Sequence, residues 1–198
     1  GSGSIGHHAT PNKIFKGKFV VKDNNADLDF DGKIDMSQKI PEMDFISTIN
    51  KLNLKRLGLL ETKTDGVISA QLLINLTGNN IDDVSGLINI DNIIYKTEEK
   101  EFKISTFNLE LEQSTVQKDI KLTSNIFNAS DNGPFKISNL GPAFNHFLWV
   151  YYPAFFPDNK SRIVYTDQFK YKLTIKKFNT VRELFVKDLA VSPGSVFE

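Results

Sequence analysis

The chain has 198 residues, 40% of them hydrophobic and 24% charged, with 24 Lys plus Arg balancing 24 Asp plus Glu and no cysteine. That length suffices for one sizeable domain with a continuous core, and the composition lies outside the disordered class. A formal net charge of zero gives no general field to draw the chain to nucleic acid, and the lack of cysteine excludes disulfides, thiolate metal sites and thiol nucleophiles.

The opening Gly1, Ser2, Gly3 and Ser4 with His7 and His8 read as a tag or linker scar over residues 1–12. Residues 13–198 read as a single elongated β domain. The first clear alternation comes at Asp27 to Met36, with Leu28, Phe30, Ile34 and Met36 on one face and Asp27, Asp29, Asp31 and Asp35 on the other. That is the pattern of a half-buried strand. From Pro41 to Leu60 a strand around Phe45 to Ile49 precedes Leu52, Leu54, Leu57 and Leu60, whose spacing predicts one or two helical turns.

Asp65-Gly66 is a turn signal that launches the cleanest strand, with Ile68, Ala70, Leu72, Ile74 and Leu76 opposite Ser69, Gln71, Leu73, Asn75 and Thr77. Turn residues at 78–80 and 84–86 separate it from a strand over Leu87 to Tyr95, which holds Ile88 and Ile90. Phe102 and Ile104 share a phase, while Phe107, Leu109 and Leu111 occupy the opposite one, so a bulge or break is expected near Ser105-Thr106. Val116, Ile120, Leu122 and Ile126 continue the apolar series. Phe135 and Ile137 read as a short strand after a turn at 131–134.

After Pro142 the run Ala143 to Tyr152 places Phe144, Phe147, Leu148 and Tyr151 at helical spacing, with Pro153 as its stop. Trp149, Tyr151 and Tyr152 give this short aromatic helix apolar bodies with polar tips. Phe169, Tyr171, Leu173 and Ile175 then alternate with Lys170, Lys172, Thr174 and Lys176, and Val191 to Glu198 reads as a turn feeding another strand of a longer polypeptide. No stretch approaches the roughly 20 apolar residues needed to span a bilayer.

Reactive side chains give little. Asp27, Asp29, Asp31 and Gly32 open like a calcium loop, but Gln38 stands where the bidentate Glu is needed and the aspartates also form the polar face of a strand. His146 is the sole histidine of the body and has no ligand-spaced companions, and no nucleophile elbow occurs. The lysine stripe reads as a solvated strand face that discourages edge pairing. Asn75 and Asn128 open glycosylation sequons that matter only on a eukaryotic secretory route. The reading is a protein without catalytic residues, metal or cofactor, whose working part is an apolar strand face.

From Gly66 onward the order of motifs carries a resemblance. The long alternating strand to Leu76 and Gly78, the run Ile81 to Gly86, Leu87 to Ile90, Tyr95, then Ile120 to Ser124, Gly133 to Ile137, the Phe147 to Pro153 segment and Leu184 to Gly194 resemble the repeated β units of the TamB branch of AsmA-like proteins in Bacteroidetes-type bacteria. The likeness spans about residues 14 to 198 and rests on low-complexity β motifs. It implies long antiparallel meander strands curled into an open β-taco, a half-barrel trough; a closed β-sandwich would use the same alternation. It also implies a periplasmic segment of a longer, inner-membrane-anchored protein that reaches the outer membrane, carries phospholipid and works beside an outer-membrane barrel partner. The groove would be lined by Leu28, Phe30, Ile34, Ile68, Leu72, Ile74, Leu76, Ile88, Ile90, Phe102, Ile104, Leu109, Leu111, Ile120, Leu122, Phe135, Ile137, Tyr171, Leu173 and Ile175. Its end or lid would use Phe144, Phe147, Leu148, Trp149, Tyr151 and Tyr152.

Overall fold

A computed structural model describes residues 13–58, 65–114, 116–140, 142, 170–177 and 194–197. Among the described residues ten strands form one sheet whose spatial order equals chain order, and every pairing is antiparallel. They are β1 Ile14–Lys22, β2 Ala26–Asp35, β3 Glu42–Leu52, β4 Gly66–Thr77, β5 Ser85–Thr97, β6 Glu101–Gln113, β7 Lys118–Ser124, β8 Phe127–Gly133, β9 Lys170–Ile175 and β10 Val196–Phe197. The sheet is open, with β1 at one edge and β10 at the other. The mainly β, meandering architecture expected from the alternation is therefore present, and the described strands build one sheet, not the two facing sheets of a sandwich.

The β1–β2, β5–β6, β6–β7 and β7–β8 turns are short, and these and the β4–β5 connection are stitched by side chains that mimic backbone. Asp23 closes the β1–β2 turn by accepting from the Asn25 N–H at 2.9 Å. Asp83 accepts from the N–H groups of Asn79 and Asn80 at 2.7 Å each, and the hydroxyls of Thr97 and Ser114 accept from the N–H groups of Lys100 and Gln117. Asn, Asp, Ser and Thr serve here because their short side chains reach a backbone N–H two to four residues away. Ser124 holds the β7–β8 turn, donating to the Phe127 carbonyl at 2.6 Å and accepting from the Ile126 and Phe127 N–H groups. That turn seats Ile126, 1% exposed.

Several local expectations are corrected. Met36 lies past the end of β2 and is 48% exposed, and Val116 sits in the β6–β7 turn at 78% exposure, so neither belongs to the apolar face. Leu52 ends β3 and so leaves the expected helical segment, of which a single turn follows, with the Leu57 and Gly58 N–H groups donating to the Asn53 and Lys55 carbonyls; Leu60 lies outside the described residues. Phe135 and Ile137 do not form a strand: 131–133 end β8, Phe135 is buried outside regular structure, and a helical turn begins at 137. Pro134 breaks the ladder there because it lacks an N–H. The aromatic helix over 143–152 lies outside the described residues.

Candidate functional site

Residues directly opposite one another in an antiparallel ladder share a face. The register therefore resolves one side of the sheet into rows that cross the strands. One row runs Phe15, Ile34, Met43, Leu76, Gly86, Leu111, Ile120, Asp131 and Tyr171. The next runs Gly17, Gly32, Phe45, Ile74, Ile88, Leu109, Leu122, Ala129 and Leu173. A third runs Phe19, Phe30, Ser47, Leu72, Ile90, Phe107 and Ser124. Beyond it lie Ile49 opposite Ala70, Leu52 opposite Ile68, Ile68 opposite Tyr95, and Tyr95 opposite Phe102.

Eighteen of the expected groove residues sit together on this one face: those on β2, β4, β5, β6, β7 and β9. Phe135 and Ile137 do not join them, and the six lid residues lie outside the described part. Sequence reading passed over Phe15, Phe19 and Val21 on β1, whose alternation is broken by Gly17 in an apolar slot.

At the β1 end the face is aromatic. Phe19 stacks on Phe30 with centroids 4.7 Å apart, Phe45 tilts against Phe30 at 4.7 Å, and Phe15 meets both Phe19 and Phe30 edge-on at 5.7 and 5.6 Å. Such contacts add about 0.5–1.5 kcal/mol per pair beyond burial. Gly32 admits this cluster, since a Cβ there would collide with Phe45.

The expected phase slip is real and shared by two strands. Ala70 on β4 faces two residues of β5, where the register shifts between Ser69 and Gln71 and Asn92 adopts φ 53°. Apolar positions on β5 accordingly step from Ile90 to Ile93, and their β6 partners step from Phe107 to Ile104. The bulge thus returns Tyr95 and Phe102 to the apolar face, stacked at 6.4 Å, with Tyr95 lying over Gly66. Without it a one-residue slip would turn both side chains to the polar side.

The face is half-buried. Phe30, Ala70, Leu111 and Ile175 fall below 9% exposure, but most of its Ile, Leu and Phe keep partial exposure. The opposite side is polar, broken by Val20, Ile46 and Leu73 at 36%, 53% and 41% exposure. The three aspartates of the supposed calcium loop lie on β2, which is paired on both sides, so they alternate along a strand and do not wrap a point. Among the described residues no three His, Cys, Asp or Glu gather as a metal-holding group. Lys170 and Lys172 lie on the polar side, but Lys176 falls beyond β9 and donates to the Ser124 carbonyl at 2.7 Å.

Two carboxylates, one on β2 and one on β8, have opposite environments. Asp35, 2% exposed, accepts from the Ser37 hydroxyl at 2.6 Å and its N–H at 3.0 Å, and pairs with Lys33 at 3.0 Å. The Ser37 hydroxyl and then the Lys33 ammonium hold its pKa down at about 2. Asp131 sits on the apolar side between Ile120 and Tyr171, 9% exposed, with its Oδ1 lacking any hydrogen-bond partner. Burial pushes its pKa up to about 6, against a smaller opposing pull from the Asn132 N–H.

A hollow of about 560 Å³ opens at the end of the sheet formed by the β1–β2 and β5–β6 turns and the β3–β4 connection. Asn25, Asn50, Asn53, Arg56 and Asp65 line it. Asp65 is engaged there by the Asn53 amide and by the Arg56 guanidinium at 2.8 Å, which lower its pKa in that order.

No family model, no curated protein and no solved structure matches this chain.

Proposed function

We propose that the chain is a segment of a periplasmic bridge that carries phospholipid along its apolar face between the inner and outer membranes, supporting outer-membrane biogenesis. The single observation behind this reading is a continuous apolar floor crossing nine strands of an open sheet, half-exposed over most of its area. The resemblance of the strand units to TamB-type proteins supports the periplasmic compartment and the two membranes to be bridged. In this reading the sheet curls into a trough, and an inner-membrane anchor and an outer-membrane barrel partner belong to the longer protein.

Each acyl methylene moved from water onto such a floor gains about 0.8 kcal/mol, so a chain of a dozen methylenes is held without any reactive group. The 12-residue β4 extends roughly 40 Å at about 3.3 Å per residue, enough to run beside a full acyl chain. The polar reverse side keeps such a sheet in water.

Organic extraction and native mass spectrometry of the purified chain test the proposal. Bound phospholipid is expected, reduced at least fivefold by Ile74→Asp with Leu109→Asp on the floor and unchanged by Leu73→Asp on the polar side. A lipid-free chain, or equal loss from both sets of variants, overturns it.

A second reading rests on the edge strand. The outer side of β1, nine residues long, has no partner strand among the described residues, so its backbone could accept an extended segment of an outer-membrane barrel protein by strand addition. A photocrosslinker at Lys18 capturing an unfolded barrel protein would support this reading, and capture of lipid alone would oppose it.

A further inference from the structure

Asp131 breaks the chemistry of the floor. Eight strands place hydrophobic residues, glycine or alanine in its two long rows, and β8 puts a carboxylate there, flanked across the ladder by Ile120 and Tyr171. The residue is 9% exposed and its Oδ1 has no partner. A buried polar atom left unpaired loses its hydration with nothing in return, so it favours any ligand that donates to it.

The neighbours do not supply that donor. On its own strand Asp131 is followed on the same face by Gly133 and preceded by Ala129, neither of which has a polar side chain. Among the described residues Lys118 on β7, opposite Gly133, is a cation on that face, and its ammonium donates to the carbonyl of Asp82. Asp82 is in turn fastened to the helical turn after β8, accepting from the Ser138 N–H and hydroxyl at 2.9 and 2.8 Å. Among the described residues, Tyr171 on β9 is a further titratable side chain facing Asp131. Asp119, Asn132, Lys170 and Lys172 occupy the opposite side of these strands.

We infer that Asp131 is the head-group anchor of the apolar floor, binding the primary ammonium of an amphiphile, of which an ethanolamine phospholipid is the type, while its chains lie over Ile120 and Leu122. This assignment rests on the lipid-carrying reading of the same face. A primary ammonium brings three N–H donors and a charge opposite to the carboxylate, the strongest pairing available to an oxygen acceptor in a dry site. A choline head group has the charge but no N–H, and would leave Oδ1 unpaired. A glycerol phosphate head group is anionic and is repelled. Because the carboxyl must be ionised to hold an ammonium, the preference fades as the medium is acidified past the point where Asp131 takes up a proton.

The experiment uses the full chain equilibrated at pH 7.5 with an equimolar mixture of phosphatidylethanolamine, phosphatidylcholine and phosphatidylglycerol of matched acyl chains, with the retained lipids counted by native mass spectrometry. The ethanolamine lipid is expected about tenfold enriched over the other two, the size of a charge-assisted hydrogen bond. The enrichment should fall toward unity in Asp131→Asn and in the wild type at pH 5, with total lipid retained in both. Circular dichroism establishes that the nearly isosteric variant keeps its sheet. Three lipids bound equally by the wild type, or enrichment that survives Asp131→Asn, overturns the anchor while leaving the conduit standing. Failure to retain any of the three overturns the conduit and the anchor with it.

Discussion

Two aspartates show how much a side chain's surroundings decide. Asp35 is held ionised by Ser37 and Lys33, so its folded pKa lies below its ordinary value of 3.8. The stability it contributes is present above that ordinary value and is lost as pH falls through about 2. Ser37→Ala should move the Asp35 carboxyl titration upward toward the ordinary carboxylate range, followed by the ¹³C shift of its carboxyl carbon. An unmoved titration would mean that Lys33 alone sets it. Asp131 has the opposite sign, because burial raises its folded pKa to about 6 from 3.8. Its cost to stability is absent below pH 3.8 and grows as pH rises from there through about 6, where the unfolded chain has already released its proton and the folded chain resists doing so. In the absence of lipid, Asp131→Asn should therefore stabilise the fold by on the order of 2 kcal/mol at pH 8 and by nothing measurable at pH 3, read from urea unfolding. A loss of stability at pH 8 would contradict the unpaired state of Oδ1.

At the scale of the strand, the bulge and one glycine control which side chains reach the floor. Gly86 has φ 132°, and a Cβ there would strike the Asn75 carbonyl oxygen of the neighbouring strand. Gly86→Ala should cost about 2–4 kcal/mol, visible as a lowered urea midpoint, since neither the backbone of β4 nor that of β5 can give way without breaking the ladder. Asn92 holds the left-handed turn of the bulge, and its amide donates to Gln71 at 3.2 Å. Asn92→Val should cost about 1–2 kcal/mol and Asn92→Gly less than about 1 kcal/mol, because only the β-branched residue resists that conformation. Equal effects of the two would place the bulge elsewhere.

These same strands mark the reach of sequence reading. β4 was legible because its apolar residues keep strict period two from Ile68 to Leu76, and the slip between Ile104 and Phe107 was visible as a change of phase. That β5 carries the matching bulge was not, because Ile93 and Ile94 are both apolar and fit either phase. β8 was hidden for a different reason. Its floor positions include Ala129, Asp131 and Gly133, which read as loop, and only the ladders to Ile120 and Tyr171 make it a strand. Phe135 and Ile137 mimicked alternation across two residues, too short a span to outweigh Pro134. The apolar membership of the floor was thus readable from side-chain pattern, while the one polar group inside it required pairing partners distant in sequence.

For the whole molecule, the decisive fact is that each described strand pairs with the strand before and after it and with no other. Stability should then be graded, with β4, β5 and β6, the longest strands and flanked on both sides, opening last. Amide hydrogen exchange should show protection falling outward from these three toward β1 and β9. Uniform protection across all strands would instead indicate that something locks the edges. The pairing order has a further meaning. Strand length sets one dimension of the floor and the number of hairpins sets the other, and the two are independent. Adding one hairpin anywhere in such a meander widens the floor by two strand spacings, roughly 10 Å, and leaves every existing row in register. A sheet built this way behaves as a tape that can be lengthened piece by piece, so distance to be covered becomes a matter of counting repeats, with no redesign of the surface that covers it.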